Sequence, residues 1–560
     1  MNLFFLTCYL RWHTLVSFIF LLVNYTSVLA QTDTAASQLF EKNCAGCHNF
    51  KQDGIGPQLG GLKGNVDERY LVDFIKNPKA MIDARHARAV DKYKKFGTVM
   101  PAFTHLGDKA INELVAYLLV KPAPVTMAST GPAGLENPIP EPIGPPTMDV
   151  SIQRVLQFPF TNATQPRTRI NKMGVHPITK ETMVADLQGP LYILSAANEA
   201  TVYFDARTYF SRFTNNPGLA TGLGSFAFHP DFATNRLFYT THTEPANTSN
   251  ADFAYADSIP VKLQWVVNEW VVDNAGARQL TGKPRELLRI NVVTQIHGMQ
   301  DITFNPYAKP TDADYGLLYI GMGDGGAVEQ GYPFIARNKN SVWGKVLRIN
   351  PTERTSKNGQ YGIPATNPFV NKDGLDEVYA EGFRNPNRIT WLRDGRMLVS
   401  NIGQRQIESI YVVKPGKNHG WPDREGTFMV DVSTSVNRVM PLPKTDKSLG
   451  YSYPVIQFDH DEGNAIMGGY EYTGNQVPQL KGSYVFGEIV RGRVFYVNVK
   501  DISEGKQATI HECQLVLNGQ KTTLKELTNE NKIDLRLGQD AAGELYVFTK
   551  SDGMMYKLVK

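Results

Sequence analysis

Six short runs of strand-forming residues, each introduced by a turn, constrain this chain more than any other feature. They lie at 190–194, 236–240, 316–320, 395–399, 481–485 and 543–547. A small sheet built on one such run leaves a face bare, and similar sheets stacked around an axis cover one another. Glycine and aromatic residues are plentiful, as strands and tight turns require. Residues 148–560 are therefore predicted to form an all-β six-bladed propeller with long insertions, an array of sandwiches being the alternative. The axial channel of such a ring is a natural pocket.

The N-terminal part reads differently. Cys44-Ala45-Gly46-Cys47-His48 carries two thiols three positions apart, followed at once by an imidazole. One helical turn points both sulfurs at the vinyl groups of a porphyrin and sets His48 under the iron, so the motif predicts covalent haem c. A zinc site would need two more ligands, and no second Cys-x-x-Cys exists. Residues 34–44 read as a helix, and so do 71–76 up to Pro78. Asp108 is expected to cap a last helix striped by Ile111, Leu114, Val115 and Leu118. The carbonyl near Pro57 is placed to receive the second nitrogen of His48. Met100, in Val99-Met100-Pro101-Ala102-Phe103, is the expected sixth iron ligand, with Met81, His86 and His105 as alternatives. Together these motifs resemble a class I cytochrome c, an all-α domain expected over 31–121.

Residues 1–30 look like an export signal: Arg11, a mostly apolar 14–28, and small residues before a cut after Ala30. The mature protein is then periplasmic or secreted and meets a membrane only through that signal or its electron acceptor. Of four cysteines only Cys513 lacks a role, and it is expected as a buried thiol on a strand. The net charge of +4 comes without a basic cluster, which argues against nucleic acid. Between Pro122 and Pro146 stand eight prolines, predicting an extended linker (122–147) that tethers the domains without a stable interface.

Further motifs fill the C-terminal domain. They are Phe228-His229-Pro230-Asp231-Phe232, Gly323-Asp324-Gly325-Gly326, Trp343-Gly344-Lys345-Val346, Gly382-Phe383-Arg384-Asn385-Pro386 and Asn418-His419-Gly420-Trp421-Pro422. In this order they resemble the soluble glucose/sorbosone dehydrogenases, six-bladed propellers that use pyrroloquinoline quinone (PQQ) and Ca²⁺. The resemblance implies His229 as general base, Arg384 and Asn385 at the quinone oxygens, and Arg491 and Arg493 against the PQQ carboxylates. It implies Gly403 and Gln404 as calcium ligands, and a lysine where Thr473 stands here. His297, in His297-Gly298-Met299, either lines the pocket or closes a turn. The expected activity is oxidation of an aldose or related sugar or alcohol, with electrons leaving through haem c to a respiratory acceptor. A non-catalytic glycan- or partner-binding propeller with a relay haem is the alternative, and a calcium-dependent lactonase ranks behind both.

Overall fold

The computed structural model describes residues 35–45, 48–50, 53, 56–96, 99–124, 134–216 and 220–560. The expected export signal, Cys47 and the middle of the linker lie outside them. Among the described residues no helix is long and apolar enough to cross a membrane.

The N-terminal domain is helical: α1 (Ala35–Asn43), α2 (Glu68–Lys76), α3 (Pro78–Asp83), α4 (Ala87–Phe96) and α5 (Gly107–Leu119). The stripe on α5 is buried and packs with Phe40, Leu71 and Ile75. Asp108 does not cap α5. The helix begins at Gly107 without a side-chain cap, and Asp108 sits in the first turn, 2.7 Å from Lys76. There a carboxylate faces the positive helix end and a lysine at once.

The C-terminal domain is all-β with a propeller fold. Four antiparallel four-stranded sheets begin with Ile170–Val175, Ser225–Phe228, Met299–Thr303 and Pro386–Trp391. A nine-stranded sheet follows, and it contains two further such meanders, starting at Ile466–Glu471 and Leu535–Gln539. The starting strands neighbour one another in a closed ring. Met148–Gln157 pairs antiparallel with the C-terminal strand Met554–Val559, so the two ends of the domain close it. Five of the six sequence runs fall on the second strand of their meander, and 190–194 falls on a third. The turn before such a strand needs φ > 0, as at Gly395 (91°) and Gly543 (79°), which is why glycine announces it.

Buried ion pairs set the level of the inner strands. Lys172 Nζ lies 2.6 Å from Asp301 Oδ1 and 3.0 Å from Ser225 Oγ. Asp301 Oδ2 accepts from Ile389 N–H at 2.8 Å, and Arg536 Nε reaches Asn171 Oδ1 at 3.1 Å. The C-terminal ends of all six starting strands line one cavity of about 570 Å³. The strands therefore share one direction, and the ring has two distinct ends.

The second half of the linker, residues 134–147, is bound to the propeller. Leu135 N–H donates to Val439 O (2.8 Å), Ile139 N–H to Asp459 Oδ2 (3.0 Å) and Ile143 N–H to Glu462 Oε1 (3.0 Å). Proline has no N–H to offer, but the residues between the prolines do, and they use it.

Candidate functional site

In the helical domain His48 is buried and its Nδ1 lies 2.7 Å from Pro57 O, which leaves Nε2 as the ligating nitrogen. A Cβ at Gly56 would meet the imidazole at 2.3 Å, so only glycine leaves room for the ring. Burial lowers the proton affinity of His48, against the Pro57 carbonyl and the charge of Asp53, and favours the neutral, metal-binding form. Met100 packs on the same core as Cys44, whereas His86 and His105 are exposed. Neutral imidazole, thioether and a thiol around one apolar core fit haem c.

At the entrance end of the propeller, before the starting strands, a different cluster forms. His297 Nδ1 lies 2.8 Å from Asp324 Oδ1. Asp324 also accepts from Gly326 N–H (2.8 Å) and Trp421 Nε1 (3.0 Å), and its N–H donates to Arg384 O (2.8 Å). Burial pushes the Asp324 carboxyl up, but the charges of His297 and Arg384 and the hydrogen bonds outweigh it and hold it below its ordinary value. The carboxylate fixes the tautomer of His297 and leaves Nε2 able to accept a proton. The backbone holds the ring there: His297 has φ 55°, and a Cβ at Gly323 would strike its carbonyl at 2.3 Å.

Arg384 lies beside this pair. Its Nε donates to Gln404 Oε1 (2.7 Å), Nη1 to Gly403 O (2.6 Å) and Nη2 to Glu329. The N–H groups of Arg384 and Asn385 both bond to Asn401 Oδ1, and Asn385 Oδ1 is buried with no protein partner. At the same end of the ring, just before Ile170–Val175, Arg169 carries Nε and Nη1 that are buried and unpartnered, close to Arg536, Lys550, Asp186 and Asp534. Arg169, Arg536, Lys532 and Lys550 gathered around Asp186 and Asp534, with donors to spare, suit a polyanionic ligand.

The structure does not bring His229 into this cluster. It follows its strand at the cavity end, where Nδ1 accepts from Asp231 N–H (3.1 Å) and lies 2.8 Å from Asn235 Nδ2. Arg384 precedes its strand at the opposite end. Four residues on either side of the common ion-pair level separate them by roughly 26 Å at a strand's rise. His229 closes a turn, and His297, whose role the sequence left open, is joined to Arg384 through Asp324 instead.

Three further expectations are corrected. Arg493 is held by Glu512 (2.9 and 2.7 Å) and Glu462 (2.6 Å), and Arg491 donates to the carbonyls of Asp461 and His460, so both brace the 459–463 loop. The Gly403 carbonyl faces a guanidinium, and Glu425 Oε1 ties down the N–H groups of Arg405, Gln406 and Ile407 at 2.9 Å each. A hard cation needs several free oxygens and no adjacent positive charge, so Gly403 and Gln404 do not fit Ca²⁺ as they stand. Among the described residues no group of three His, Cys, Asp or Glu could hold a metal. Thr473 follows its inner strand at the cavity end and packs against Gly543, away from Arg384. Cys513 is buried, and burial pushes its thiol up to about 12.

Residues 180–557 match the family model described as Glucose / Sorbosone dehydrogenase. The chain belongs to that family. Residues 34–120 match the Cytochrome c model, so the family's domain is fused here to a cytochrome c. Among curated proteins the chain is 28% identical to the HIPL2 protein of Arabidopsis thaliana, over 51% of this chain and 45% of that protein. It is 25% identical to quinoprotein glucose dehydrogenase B of Acinetobacter calcoaceticus, over 47% of this chain and 52% of that one. The matches thus span about half the length of these relatives. The crystal structure of the soluble aldose sugar dehydrogenase of Escherichia coli shares the fold, with TM-score 0.50 and 16% identity over 73% of this chain and 99% of that one.

Proposed function

We propose that this family member is an exported quinohaemoprotein that oxidises an aldose or a related hydroxyl substrate and passes the electrons to its own haem c. The six meanders are read as six blades around the substrate channel. The observation that carries the reading is the His297–Asp324 pair, 2.8 Å apart, beside Arg384 at the cation-rich end of the ring.

Pyrroloquinoline quinone, when bound, would accept the hydride of the carbinol C–H bond and, with it, both electrons. Arg169, Arg536 and Lys550 would hold its carboxylates, and Asn385 its carbonyl edge. His297 Nε2 takes the hydroxyl proton, the direction in which general-base catalysis assists hydride loss. Asp324 stabilises the imidazolium that forms. The guanidinium of Arg384 opposes negative charge growing near Asn385. Its bonds to Gln404 and Gly403 fix the plane of that guanidinium before substrate arrives. Each turnover removes a hydride from the C–H bond and a proton from the O–H bond, two electrons and two protons in all, and a haem iron would accept those electrons one at a time.

The test is reconstitution of the purified protein with PQQ, followed by aldoses and an artificial dye. Dye reduction that His297→Ala abolishes and His229→Ala spares supports the reading. Retained haem with no PQQ binding in equilibrium dialysis favours the non-catalytic propeller.

A further inference from the structure

The loop that carries Gln404 also carries Arg405, and Arg405 leaves the propeller. Its Cζ lies 4.5 Å from the ring centre of Phe96, the last residue of α4 in the cytochrome domain. Asp53 and Arg405 feel each other's charge, and Asp53 also pairs with Lys95 at 3.0 Å. The same Asp53 acts electrostatically on His48. An ion pair, Lys262 with Glu41 at 3.4 Å, spans the domains elsewhere. The propeller side of the junction is stiff. Arg405 N–H is bonded to Glu425, and Gln404 Nε2 reaches Asn437 Oδ1 at 3.1 Å. Asn437 lies on the strand Ser435–Met440, whose Val439 receives the linker.

Resting on the functional reading above, we propose that Arg405 is the docking residue that seats the His48 side of the cytochrome on the 403–407 loop, making that loop the electron-transfer junction between the domains. One loop thus touches Arg384 through Gln404 and the cytochrome through Arg405. The two electrons removed from each substrate cross this contact in two one-electron steps. With haem c bound, each step would take the iron from ferric to ferrous, and an external one-electron acceptor would reoxidise it before the next. A cation over an aromatic ring, beside a carboxylate that is already shared with Lys95, gives a contact that holds register yet does not lock.

The experiment uses the full-length haem protein and Arg405→Glu, with Arg405→Lys as the conservative variant. Hydrogen exchange is measured on the resting protein without substrate, and then dye reduction and haem reduction are followed separately with PQQ and aldose. In Arg405→Glu, protection of 91–96 and 403–406 falls together and haem reduction slows by about tenfold, the factor that accompanies loss of ~1.4 kcal/mol of docking. Dye reduction stays within about twofold, since His297 and Arg384 are untouched, and Arg405→Lys recovers most of the loss. Unchanged protection of both segments overturns the proposal, and so does an equal fall in dye and haem reduction. If the unaltered protein reduces neither dye nor haem, the oxidation reading fails while the exchange result still judges the docking.

Discussion

Replacing Asp324 by Asn keeps the shape of the side chain and changes one atom from acceptor to donor. Asp324 is fully buried and receives three donors: His297 Nδ1, Gly326 N–H and Trp421 Nε1. In either amide orientation the new NH₂ faces a donor. Turned toward Trp421 it leaves two buried N–H groups opposed, which costs about 1–3 kcal/mol of stability. Turned toward His297 it makes Nδ1 the acceptor, moves the imidazole proton to Nε2 and removes the base. The imidazolium also loses its counter-charge. We expect kcat for aldose oxidation to fall by about 10²–10⁴, the usual worth of a positioned general base, with KM changed little. The assay is dye-linked oxidation at saturating sugar, paired with denaturant unfolding to separate misfolding from chemistry. A folded Asp324→Asn protein with kcat within about threefold of the parent would refute the assignment of His297 as base.

Other expectations follow from the same geometry. His229→Ala loses the ring that closes its turn and should cost about 1–2 kcal/mol in urea unfolding while leaving kcat unchanged. His419 is stacked on Phe383 and bonded to Glu381 O, and burial pushes its imidazole down from 6.5 to about 4. The unfolded chain binds the extra proton between those values. Stability is therefore complete above pH 6.5 and lost as pH falls toward 4, by on the order of 3 kcal/mol. Unfolding at pH 7 and pH 4.5 should show this fall, and His419→Phe should flatten it. Ca²⁺ added without PQQ should give no binding heat at the 403–407 loop, because Arg384 holds the Gly403 carbonyl; calcium-dependent exchange protection there would contradict this.

Much of the architecture is legible in the sequence, for identifiable reasons. Short strands after glycine turns reveal the meanders because a positive φ demands glycine. Cys-x-x-Cys-His reveals the haem domain because covalent attachment fixes its spacing. The site is less legible. His229 and His297 both stand in turn motifs, and only strand direction separates their ends of the ring. Arg169 carries no motif at all; its unpartnered donors become visible only when three strands converge on them. The linker misleads because its composition reports the prolines, while its binding depends on the residues between them.

On the proposed reading, electrons from the sugar reach the haem within one polypeptide. Stopped-flow spectroscopy of the PQQ-loaded protein, mixed anaerobically with aldose and followed at the haem α-band, measures this directly. Full haem reduction at a rate independent of protein concentration is expected. A rate proportional to protein concentration, or ferric haem that persists while dye is reduced, would contradict it.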